Sequence, residues 1–185
     1  MNKKRYICSC CILFAMLLIS IIFITQNPVN KEKALPVLFL HLVKRLIKNI
    51  KTESPFEICS CLNFIILDVP LIGIRGFYQY YNKNNIVYLS DNLEEHTKKF
   101  VCAHELGHAI MHRNTNEIFM DTRTFLKTSI YEHQADRFAI DLLLPNDDFM
   151  DGFEELSLSQ IAHCYDVSEE LMQYRICQIK NKPVY

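Results

Sequence analysis

The stretch FVCAHELGHAIMH, Phe100 to His112, leaves the chain little conformational freedom. No proline occurs from Asn92 to His112, so the whole segment suits one helix. Residues i and i+4 of a helix share a face about 6 Å apart, which sets the imidazoles of His104 and His108 over one point. Glu105, about 100° round from His104, flanks the pair without taking a ligand position. Zinc held by three protein ligands lowers the pKa of its water to about 7, and a carboxylate beside it can take the proton and deliver it to a leaving amine. Two histidines do not hold such an ion. The motif therefore requires a fold that brings a third ligand from another element.

His112 does not qualify, because eight residues of helix put it about 12 Å along the axis from His104. It reads as a helix-end residue whose imidazolium would favour the helix dipole. A better candidate lies 24 residues after His108, in YEHQADRFAIDLLLP. Glu132 and Asp136 stand four apart on this second helix, so with Glu132 as ligand, Asp136 can accept a hydrogen bond from a ligating histidine. Ala135, Ala139, Ile140 and Leu143 give the helix a packing face. Gly107 costs its helix about 1 kcal/mol relative to alanine, and between two histidines it suggests a close backbone approach.

The remaining chain reads as a small α+β domain. VLFLHLVKRLIKNI, Val37 to Ile50, is apolar at helical spacing. In SPFEICSCLN, Ser54 can cap a short helix, with Pro55 at its first position and Glu57 completing a capping box. FIILDV, GFYQYY and IVYLS are β-branched or aromatic runs, and NKNN between the last two predicts a hairpin from Tyr81 to Ile86. Asp91 and Glu94 suggest the start of the long helix, and a second helix is expected from about Ser129 to the stop at Pro145. RNTNEIFMDTRTFLK reads as an irregular connection between the two. LSLSQIAHCYD and VSEELMQYRICQIK add two helices at the end.

Residues 6 to 25, YICSCCILFAMLLISIIFIT, form a charge-free apolar run of 20, long enough as a helix to span a hydrocarbon core of ~30 Å. No A-x-A cleavage pattern follows it. The expected organisation is a membrane anchor over 1–28, a linker over 29–36, the metallopeptidase domain over 37–152 and a helical segment over 153–185. Eight cysteines give no disulfide framework, since three fall in the apolar run and the other five have no paired spacing. Cys59 and Cys61 are too close for a structural zinc pair and read as helix core. A reducing compartment follows, and with it the expectation of a single-pass membrane protein whose working domain faces the cytoplasm. Residues 1–52 hold nine Lys and Arg against one acid, and the rest holds eleven against twenty, a balance that argues against nucleic acid as a direct partner.

At these motifs the sequence resembles the ImmA/IrrE family of bacterial and phage metallo-endopeptidases. The resemblance runs from about Val43 to Ile179, through GFYQYY, IVYLS, AHELGHAIMH, YEHQADRFAIDLLLP and SLSQIAHCYDVSEELMQYRI. That family is similar to gluzincins, whose third ligand is a Glu followed four residues later by an Asp or Asn. The resemblance implies a zincin-like fold, with a short β-sheet packed on the HExxH helix and a second helix carrying the glutamate. It implies His104, His108 and Glu132 as zinc ligands, Glu105 as catalytic base and Asp136 as orienting group. It also implies a protein substrate, typically a helix-turn-helix transcriptional repressor. The apolar run at the amino terminus departs from the family, whose members are usually cytosolic.

Two other readings bear on the same residues. LSLSQIAHCYDVSEELMQYRI has the cadence of a helix-turn-helix, but Glu169 and Glu170 open the would-be recognition helix, where phosphates repel them. A non-proteolytic regulatory protein with a structural metal would close its site with four protein ligands, whereas three and an adjacent base are present. The expectation is a Zn2+-dependent endopeptidase attacking a peptide carbonyl with zinc-activated water. Tyr78, Tyr131 and His133 are the candidates, by residue type, for assisting the oxyanion.

Overall fold

A computed structural model describes residues 31–112, 125–146, 148–153 and 155–180. Two helices, α1 (Lys31–Ile50) and α2 (Pro55–Cys61), precede strands β1 (Phe64–Val69), β2 (Gly76–Tyr81) and β3 (Asn84–Ser90). Helices α3 (Glu95–Met111) and α4 (Phe125–Leu143) follow, then a 3-10 turn at Asp148–Met150, α5 (Leu158–Cys164) and α6 (Glu169–Lys180). The class is α+β, as expected.

The sheet has the order β1-β3-β2. Asn82 and Lys83 both take positive φ, 47° and 65°, the two-residue turn that matches the twist of an antiparallel hairpin. This is the predicted β2–β3 hairpin. β1 joins the other edge of β3 in parallel, Ile66 opposite Val87. Period-2 alternation sends Tyr78, Val87 and Leu89 inward to α3, while Ile65 and Leu67 are exposed and Phe77 stacks on Tyr88 at 4.3 Å on the outer face. Gly76 marks the tightest crossing of sheet and helix. A Cβ there would stand 2.6 Å from Val101 Cγ1 and 2.8 Å from the Tyr88 carbonyl, so only glycine fits.

α3 lies between this sheet and α4, and the core is built around it. Val101, Cys102, Leu106, Ala109 and Ile110 meet Phe138, Ala139 and Leu142 in one cluster that also takes in Val43, Ile58 and Met172. Ser54 caps α2 by accepting the Glu57 N–H at 3.5 Å, with Pro55 first in the helix. Of the C-x-C pair, Cys59 is buried against Cys102 with sulfurs 4.0 Å apart, but Cys61 is exposed. α3 begins later than Asp91, with Glu94 in the cap position and no side-chain cap bond. α4 begins four residues before Ser129, within the segment read as irregular.

The tail is tied to α4 through a buried arginine. Arg175 donates from Nε to the Leu144 carbonyl at 2.8 Å and from Nη2 to the Asn146 carbonyl at 3.0 Å, satisfying groups that the end of α4 leaves open. Asp141 and Arg175 are both fully buried, and Tyr174 donates its hydroxyl to Asp141 at 3.3 Å. Burial pushes the Asp141 carboxyl up to about 7 although the guanidinium pulls the other way.

The expected single-pass membrane localisation is corrected here. Among the described residues no helix is long and apolar enough to cross a membrane. α1 has the length of a span, but Lys31, Glu32, Lys33, Lys44, Arg45 and Lys48 break its apolar sequence. The apolar run at 6–25 lies outside the described residues.

Candidate metal centre

α3 presents His104 and His108 on one face, as the four-residue spacing requires, and α4 crosses that face with Glu132. The Nε2 atoms of the two histidines are 3.0 Å apart. Glu132 places Oε2 at 3.2 Å from His104 Nε2 and Oε1 at 3.3 Å from His108 Nε2. Donors bonded at 2.0–2.1 Å to the centre of a tetrahedron stand roughly 3.3–3.4 Å from one another, so the three residues are spaced as ligands of one ion. Asp136 accepts the His104 Nδ1–H at 2.8 Å, which fixes the tautomer and leaves the Nε2 lone pair aimed at the shared point.

Three electron-rich atoms this close repel one another unless a cation lies among them. A shared proton eases the same repulsion. Burial opposes charge on His104, yet the Asp136 and Glu132 carboxylates outweigh it and hold the imidazole up at about 10. Burial likewise opposes charge on Glu132, and its bonds to His104 and His108 hold it well below the usual carboxylate range.

The close crossing depends on Gly107. A Cβ there would meet Phe138 Cδ1 at 3.1 Å and the Ala135 Cα at 3.3 Å. The glycine therefore lets the backbones of α3 and α4 approach until Glu132 reaches the histidines.

Glu105 is buried beside the pair, 8% exposed. Burial raises its pKa, the two histidines lower it, and Glu132 raises it again. The backbone N–H of Tyr78 on β2 also donates to its carboxylate, a contact no sequence pattern announced. A carboxylate whose pKa burial raises is suited to accepting and returning a proton.

These contacts separate the other candidates. Tyr78 donates its hydroxyl to Asn85 at 2.8 Å, so its backbone rather than its side chain serves the site. Tyr131 packs against His112 with ring centroids 4.5 Å apart in a tilted contact, and the His112 ring lies 5.9 Å from that of His108. His133 is exposed and lines a cavity on the Asp136 side. His112 is no imidazolium at a helix end. It is buried, and burial and the adjacent His108 pull its pKa down to about 4.

Residues 62–177, more than half of the chain, match the IrrE N-terminal-like domain of the Peptidase M78 family. The chain belongs to this ImmA/IrrE family. Among relatives of this Peptidase M78 chain is Uncharacterized immunity region protein 2 of Bacillus phage phi105, 38% identical over 143 residues, which are 75% of this chain and 90% of that protein. Metallopeptidase ImmA of Bacillus subtilis (strain 168) is 28% identical over 144 residues, 75% of this chain and 84% of that protein. Membership supports a metallopeptidase role in general, and the matched region contains all of the residues gathered at the candidate metal centre.

Proposed function

We propose that this chain is a zinc-dependent endopeptidase that hydrolyses a peptide bond in a regulatory protein such as a transcriptional repressor. The observation that carries the reading is the spacing of His104, His108 and Glu132 around one point, with the buried Glu105 carboxylate next to them. His104, His108 and Glu132 would hold the zinc, and the N,N,O donor set with three protein ligands suits a catalytic site with one open position. Bound zinc would supply a Lewis acid that acidifies water and polarises the scissile carbonyl.

The residues of the chain do the rest. Asp136 holds the His104 ring in the tautomer that offers Nε2. Glu105, positioned by the Tyr78 N–H, takes a proton from the attacking water and passes it to the leaving amine nitrogen. The packing of α3 against β2 and α4 keeps this carboxylate out of bulk water, which raises its basicity. The regulatory substrate is supported by the 38% identical relative, an immunity region protein by name.

Elemental analysis of the purified full chain and cleavage of a peptide library, read by mass spectrometry, test the proposal. Wild type should hold one zinc per chain and cut the library. Glu105→Gln should keep the zinc and lose cleavage by at least about 100-fold, the scale of one general base. Unchanged cleavage by Glu105→Gln refutes the mechanism. Zinc without cleavage in wild type moves the reading to a metal-containing regulatory binding protein.

A further inference from the structure

A cavity of about 310 Å³ opens between α4, which lines it with His133, Asp136 and Arg137, and α6. Its volume is at the small end of the ligand-pocket range and suits a molecule of amino-acid size. The walls carry charges of both signs: Asp136 and Arg137 from α4, Glu170 from α6, with Ser168 and Tyr174 between them. The Arg137 guanidinium sits over the Tyr174 ring, 4.9 Å from its centroid. That stack fixes the plane of the guanidinium and leaves its edge N–H groups suited to a carboxylate. Tyr174 is itself held, by the bond from its hydroxyl to the buried Asp141.

Asp136 belongs to two places at once. Its Oδ1 accepts the His104 Nδ1–H at 2.8 Å, and the same side chain lines the cavity. A cation bound there draws electron density from the carboxylate and weakens its hold on the His104 ring.

From this arrangement we infer that the α4–α6 cavity binds a small free zwitterion, its carboxylate on Arg137 and its ammonium between Asp136 and Glu170, and that occupancy reaches the metal centre through Asp136. The binding half stands on the cavity alone. The coupling half rests on His104, His108 and Glu132 being metal ligands. Coupling between two sites is reciprocal, so a zwitterion that loosens zinc is itself loosened by zinc in the same ratio.

Isothermal titration of the full chain with 6-aminohexanoate tests both halves, with hexylamine and hexanoate as probes that lack one charge each. The zwitterion should bind one per chain, at least about tenfold tighter than either control, the scale of one charge-assisted contact. Arg137→Gln and Glu170→Gln, each checked for folding by circular dichroism, should each weaken 6-aminohexanoate about tenfold. No saturable heat with 6-aminohexanoate, or equal binding by wild type and the exposed-site variant Glu170→Gln, overturns the site. With zinc present, binding should weaken several-fold; equal affinity with and without bound zinc overturns the coupling. Zwitterion binding by a chain that takes up no zinc supports the site and refutes the metal reading together with the coupling.

Discussion

Gly107→Ala tests whether the metal centre depends on the distance between α3 and α4. Two effects oppose each other. Alanine in a helix interior gains about 1 kcal/mol over glycine. Against it, the new methyl lies 3.1 Å from Phe138 Cδ1 and 3.3 Å from the Ala135 Cα, where carbons prefer about 3.5–4.0 Å. Phe138 can turn slightly, but Ala135 Cα is backbone, so α4 must retreat by roughly 0.3–0.5 Å. Overpacking of this kind costs about 1–3 kcal/mol, which leaves stability between unchanged and ~2 kcal/mol lower. The metal is affected more. Ligand distances tolerate about 0.2 Å, and Glu132 travels with α4, so zinc affinity should fall about tenfold or more, ~1.4 kcal/mol. Urea unfolding of the metal-free chain and zinc titration against a chelator separate the two effects. A Gly107→Ala chain that gains the full helix-propensity increment and binds zinc as wild type refutes the close crossing.

Three further outcomes follow from the geometry. Asp136→Asn should keep the fold and weaken zinc by about 10–100-fold in the same chelator competition, the usual effect of removing a partner behind a ligating histidine. In EDTA, stability should depend on pH with two signs. His104 is raised to about 10, so its contribution is complete below its unfolded value of 6.5 and is lost as pH climbs towards 10; His112 is lowered to about 4, so its contribution is present above 6.5 and is lost as pH falls towards 4. Thermal midpoints should therefore decline above about pH 6.5, whereas below it the buried Asp141, raised to about 7, offsets His112; a flat profile from 6.5 to 9 would contradict the His104 environment. Arg175→Met should cost about 3–5 kcal/mol in urea unfolding by stranding Asp141 and two carbonyls, and Asp141→Leu added to it should recover part of the loss.

The residues that converge on the candidate metal point were legible because helical spacing acts at short range. His104 and His108 needed only one turn of helix, and Glu132 with Asp136 only one more. The hairpin at Asn82-Lys83 was legible for the same local reason. What the sequence hid depends on neighbours distant in the chain. His112 read as a helix-end imidazolium, but it is buried against Tyr131. Cys59 and Cys61 looked equivalent, but only Cys59 faces Cys102. The parallel pairing of β1 with β3, the Tyr78 N–H on Glu105 and the burial of Arg175 leave no periodic trace, because each is a single tertiary contact.

The strand order has a consequence for the chain as it is made. β1 and β2 emerge first but are not neighbours, and among the described residues both pair only with β3, the last of the three to be synthesised. Until Asn84–Ser90 has left the ribosome, some 20 residues of apolar strand and loop have no sheet to join, at synthesis speeds of about 5–20 residues per second. Pairing with β3 then completes the sheet, and a hairpin such as β2–β3 closes in about 1–10 μs. The interval before it is when Ile65, Leu67, Ile72 and Ile74 are most open to the wrong partner.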